Sequence, residues 1–137
     1  MLIVGLEVEA EWQALWTEMP EAWDRLRSRA DEIEHRAGGV FVDVSLGVED
    51  DVYIQLVGAE VEKLGEVPEG MTALEVPAAT YVHHKHIGPP AGVPDSFELM
   101  YGWAEDEEIS LGDFKLDFGH TPGGDEEEHH LYIRVEG

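Results

Sequence analysis

The order of elements written into this chain constrains its fold more tightly than any single motif. Leu2, Val4, Leu6 and Val8 alternate with Ile3, Gly5, Glu7 and Glu9, a period of two that predicts a strand. From Glu11 to Arg36, Trp12, Leu15, Trp16, Met19, Trp23, Leu26 and Ile33 recur at helical spacings. Pro20 falls inside that run and predicts a break or restart, because a helix interior has no place for a residue without an N–H. Ala37-Gly38-Gly39 supplies a stop. Val40–Leu46 and Val52–Val61 are β-branched and aromatic, and the turn residues of 47–51 between them predict a hairpin.

A turn-rich connector, Gly65 to Gly70, is followed by the same pattern again. Thr72–His86 predicts a long strand bent at Pro77-Ala78-Ala79, and a Gly/Pro loop (88–94) leads to a helix over Phe97–Glu107, with Asp95 or Ser96 as N-cap. Phe114–Gly119 and His130–Val135 predict short strands around the loop Thr121–Asp125. Strand-helix-strand-strand thus occurs twice in one domain, over about residues 1–64 and 70–137. The expected class is α+β: an antiparallel sheet, both helices on one face, and a ligand cleft at the seam between the halves.

Composition narrows the function. With 43% hydrophobic residues in 137, the chain has material for a core. It contains no cysteine, so disulfides, thiolate zinc and a cysteine nucleophile are excluded. Thirty-one Asp and Glu against eight Lys and Arg give a net charge of −23, a field that repels nucleic-acid backbones and anionic lipid; solubility or adaptation to a salty cytoplasm is one reading of it, attraction of cationic ligands the other. The opening apolar run lacks a basic n-region, and no stretch reaches the ~18 apolar residues of a membrane span. A cytoplasmic protein is expected.

Val67-Pro68-Glu69-Gly70-Met71, Val76-Pro77-Ala78-Ala79-Thr80-Tyr81 and His86-Ile87-Gly88-Pro89 resemble the middle of the gyrase-inhibitor-like (GyrI-like) small-molecule-binding family. Leu15-Trp16, Gly58-Ala59-Glu60-Val61 and Tyr101-Gly102-Trp103 extend the resemblance over the whole chain. That family also supplies the effector-binding domains of AraC-type and multidrug-sensing regulators. The resemblance implies a tandem fold with a cleft for amphipathic, often cationic aromatic compounds. Because the chain opens directly on its first strand, a stand-alone member without a DNA-reading module is expected.

Glu60 ranks first among candidate ligand-binding residues: it ends an apolar strand and matches the family's acidic position. A carboxylate among aromatic rings is costly unless a cation joins it. Asp117 ranks second, in a stretch where family members carry a drug-contacting glutamate. Both have a solvated strand position as their alternative. Trp16, Phe41, Tyr53, Tyr81, Tyr101 and Trp103 are candidates for stacking or cation–π contact, with Tyr81 and Trp103 preferred, and core packing is the competing role. His84 and His86 share a strand face and His129-His130 sit near, but no metal-ligand spacing is present, so neither metal nor cofactor is expected. The charge runs Glu105–Glu108 and Asp125–Glu128 predict solvated tips. Two further functions stay open: a hydrolase opening strained cyclopropane rings, with Glu60 and Asp117 as its carboxylates, and a gyrase-inhibitor-like interaction with a protein partner.

Overall fold

The computed structural model describes residues 1–120 and 128–136. The loop at Thr121–Asp125 and most of the second acidic run lie outside them. Strand β1 (Leu2–Glu11) runs directly into helix α1 (Trp12–Arg29), followed by a 3-10 turn at Ala30–Glu32. Strands β2 (Phe41–Glu49) and β3 (Val52–Val61) form the predicted hairpin. Its two turn residues, Asp50 and Asp51, both have positive φ (51° and 65°), the left-handed pair that matches the twist of the flanking strands. Strands β4 (Thr72–Glu75) and β5 (Tyr81–Ile87), helix α2 (Val93–Asp106), and strands β6 (Leu111–His120) and β7 (Glu128–Val135) complete the chain.

The seven strands of the described residues belong to one antiparallel sheet, ordered β4-β1-β3-β2-β6-β7-β5. Within it β1-β3-β2 and β5-β7-β6 are arranged alike and meet where β2 pairs with β6. Helix α1 packs on the first group, its Ala22 and Leu26 against Val4, Leu6, Val8, Val57 and Ala59. Helix α2 packs on the second, its Val93 and Met100 against Leu131 and Ile133. Both helices lie on the same face, and the central strands β2 and β6 form the floor between them.

Three expectations are corrected. The first helix is uninterrupted through Pro20, an exposed position, and it ends at Arg29 rather than Arg36. Sheet contacts hold the helix in place around the one missing N–H. After the 3-10 turn the chain turns again at Glu34-His35, where His35 has a φ of 60°, and Arg36 forms a bridge to Val61. The extended segment 72–86 is likewise two strands, because β4 pairs with β1 at one sheet edge and β5 with β7 at the other. Helix α2 also begins earlier than predicted, at Val93, with Gly92 rather than Asp95 or Ser96 at its cap.

This split strand dictates the curvature. Laid flat, six inter-strand steps would put the sheet edges about 29 Å apart. The five residues between β4 and β5 span only about 20 Å. The sheet must therefore curl, with its helix-free face inward. On that face Ile3, Val42, Val44, Leu56 and Leu116 are buried without a helix over them, and Val76 and Tyr81, from either side of the bend, join the same cluster. Gly5 and Gly58 face each other in register, where a Cβ on either would collide with the backbone of the opposite strand.

Candidate functional site

The polar floor between the helices begins with Asp117 on β6. This carboxylate is only 6% exposed, and two imidazoles hold it. His129 Nδ1–H donates to Asp117 Oδ1 (2.7 Å) and His120 Nε2–H donates to Oδ2 (2.9 Å). Burial works to raise the Asp117 carboxyl, but these hydrogen bonds and the nearby imidazole charges outweigh it and hold it below the ordinary carboxylate range.

A one-residue bulge makes the cluster possible. In register Phe41 faces His120 and Val42 faces Phe118, so Gly119 is skipped. The extra residue returns His120 to the face that Asp117 occupies, where an unbroken strand would point it away. Gly119 has φ of 131°, and a Cβ there would strike the Glu128 carbonyl, so the position requires glycine.

Asp43, on β2, stands opposite Asp117 in register. Its Oδ1 is sealed from solvent and has no hydrogen-bond partner among the described residues. Burial is the main reason its carboxyl is pushed up to about 7; His120 and Lys115 work against the shift and Asp117 adds to it. Two carboxylates on adjacent strands thus have opposite tendencies, Asp117 ionised and Asp43 inclined to keep a proton.

Each helix contributes a wall. From α1, Trp23 lies 4.3 Å from the His120 ring and 6.5 Å from Phe41, with the Arg27 guanidinium 5.4 Å from the indole. On the α2 side, Lys115 Nζ lies 5.9 Å from the Phe97 ring and 5.6 Å from Tyr101. Burial lowers the Lys115 pKa, with Asp113 and Asp43 opposing. His86 faces His129 in register, their rings 5.8 Å apart, and ties the start of α2 to the sheet through Ser96 Oγ (2.7 Å) and the Pro89 carbonyl (3.1 Å).

The sequence-selected residues are distributed over four places. Asp117 and Phe41 belong to the seam. Glu60 faces Ile3 and shares the opposite, helix-free side of the sheet with Leu56 and Tyr81, so the sheet separates it from Asp117. Tyr81 packs edge-on against Tyr132, and its hydroxyl is buried without a partner among the described residues. Trp16, 72% exposed, and Tyr53 both contact Trp12, making an outer aromatic patch where α1 begins. Tyr101 donates to the Gly112 carbonyl (2.7 Å), and Trp103 is 48% exposed on α2. Asp43, His120, His129 and Trp23 were not selected as site residues. The Trp23 periodicity reads as core, and only Gly119 before His120 hinted at a bulge. His84 and His130 do not join the imidazoles around Asp117.

No helix among the described residues is long and apolar enough to cross a membrane. No curated protein matches the chain. Among solved structures, a Staphylococcus aureus protein described as a bacterial transcription regulation protein superposes with a TM-score of 0.71 at 11% identity, over 100% of this chain and 93% of its own. SAV2435, solved bound to tetraphenylphosphonium, gives 0.72 at 10% identity over 100% and 89%. EcmrR, solved in a complex with DNA, gives 0.68 at 12% identity over 98% of this chain; this chain spans 53% of that polypeptide. These likenesses establish the α+β fold. Residues 1–135 match the family described as Cass2, integron-associated effector binding protein, and the chain belongs to that effector-binding family.

Proposed function

We propose that this protein binds an amphipathic organic cation in the seam between α1 and α2, with Asp117 as the charge partner and Trp23, Phe41 and Phe97 as apolar walls. The observation that carries this is the placement of Asp117, a buried and ionised carboxylate at the centre of the floor. Its present partners are hydrogen-bond-donating rings, and a flat or lipophilic cation offers the carboxylate a stronger partner beside the same aromatic walls. The net charge of −23 raises the local concentration of such ligands. A fold shared with a protein solved with tetraphenylphosphonium supports the same ligand class. Direct contact with nucleic acid is not part of the proposal, because the field opposes it.

Titration calorimetry with tetraphenylphosphonium tests it. Saturable one-to-one binding is expected, weakened at least about tenfold by Asp117→Asn, since removing one member of a buried charge pair typically costs 2–5 kcal/mol. Glu60→Gln, on the other side of the sheet, leaves the affinity unchanged. No binding, or loss with Glu60→Gln alone, would overturn the assignment.

A hydrolytic reading is favoured by one observation, the protonatable Asp43 beside ionised Asp117, an acid and a base on adjacent strands. Glu60 and Asp117 do not form such a pair. Mass analysis of a cyclopropane-bearing alkylator after incubation distinguishes them: addition of water marks an enzyme, an unchanged compound a receptor.

A further inference from the structure

We infer that Asp117, His120 and His129 form a binding site for a divalent transition-metal ion of borderline softness, with Zn2+ as the representative. One ligand atom from each of the three residues lies within 4.8 Å of the other two. Two imidazole nitrogens and a carboxylate oxygen are the donor set that Zn2+ and its neighbours take, where thiolates are absent. At metal–ligand distances of about 2.0–2.2 Å, donors around a tetrahedral ion stand roughly 3.4 Å apart. The Asp117 contacts of 2.7 and 2.9 Å would open slightly and the His–His separation would close to reach that spacing.

Two unsatisfied groups argue against a self-sufficient hydrogen-bond network. His129 is fully buried, and its Nε2 has no partner among the described residues. Asp43 Oδ1 is equally sealed and unpartnered, on the strand directly opposite Asp117 and close enough for its charge to be felt by both Asp117 and His120. The orphaned Asp43 oxygen costs free energy that a cation between the two carboxylates would offset. Asp43 is then the fourth donor or an acceptor behind the first three.

Rigidity favours the ion as well. All these donors sit on β2, β6 and β7 rather than on flexible loops, and the Gly119 bulge fixes His120. The inference stands apart from organic-cation binding, although both use Asp117, so a bound metal ion would compete with an organic cation.

The test is calorimetric titration of the metal-stripped full chain with Zn2+ alone, supported by Co2+ absorption as a reporter of coordination. One equivalent binding at micromolar Kd or tighter is expected, with visible Co2+ bands of a low-coordinate N/O site. Asp117→Asn and His120→Gln each weaken binding at least about tenfold. His120 is at the partly exposed edge of the cluster, so its replacement keeps the test usable if the Asp117 variant does not fold. A double replacement of His83 and His130, the stacked pair on the helix-free face, leaves binding intact. The inference is overturned by absence of saturable binding, or by binding that survives His120→Gln and is lost with the His83/His130 pair.

Discussion

Asp43 and Asp117 face each other one strand apart, yet their environments push them in opposite directions, and this difference is measurable as stability. Asp43 has a folded-state pKa of about 7, above its ordinary 3.8. A raised folded pKa means that stability is full below the unfolded value and falls as pH rises through the folded one. Between about pH 4 and 7 the wild-type protein therefore loses stability relative to Asp43→Asn, by up to about 4 kcal/mol across the window. Paired thermal melts as a function of pH read this directly. At Gly119, replacement by alanine should cost about 1–3 kcal/mol, through positive φ and collision with the Glu128 backbone, and should turn His120 away from Asp117. Imidazole resonances that keep their pH titration in Gly119→Ala would contradict that role. Asp117 was legible from its apolar strand and the family pattern. His120 and Asp43 were not: strict alternation assigns residues 117 and 120 to opposite faces, and only the three-dimensional pairing reveals that Gly119 is skipped.

At the scale of elements, the sequence specified type well and boundaries poorly. The β2–β3 hairpin is legible because its signals are local: alternating strands around residues that accept a left-handed turn. Helix α1 ran past Pro20 because tertiary packing of Ala22 and Leu26 outweighs one lost hydrogen bond. Pro20→Ala should accordingly stabilise the protein, by about 1–3 kcal/mol, seen as a higher melting temperature. The division of residues 72–86 between two sheet edges was hidden for a different reason. Both halves are extended, and local pattern carries no record of which distant strand each will meet. The close approach of β1 and β3 at Gly5 and Gly58 is similarly non-local. Gly58→Ala should destabilise by about 2–4 kcal/mol, because the obstruction is backbone and cannot repack.

Across the whole molecule, a curled sheet leaves one face to bury itself and the other to carry two helices with a polar floor between them. That division explains why the strand aromatics Phe41, Tyr53 and Tyr81 scattered: parity alone does not say which face the helices cover. The global charge of −23 acts over a longer range. Salt should raise the melting temperature by screening self-repulsion while weakening the capture of organic cations, so stability and affinity should move in opposite directions as KCl increases. The seam itself is tested most directly by following side-chain NMR resonances during titration with tetraphenylphosphonium. Saturating shifts are expected at the Trp23 indole and at the His120 and His129 rings. Shifts confined to Trp12, Trp16 and Tyr53, or to Tyr81 and Tyr132, would place the ligand elsewhere and contradict a site between the helices.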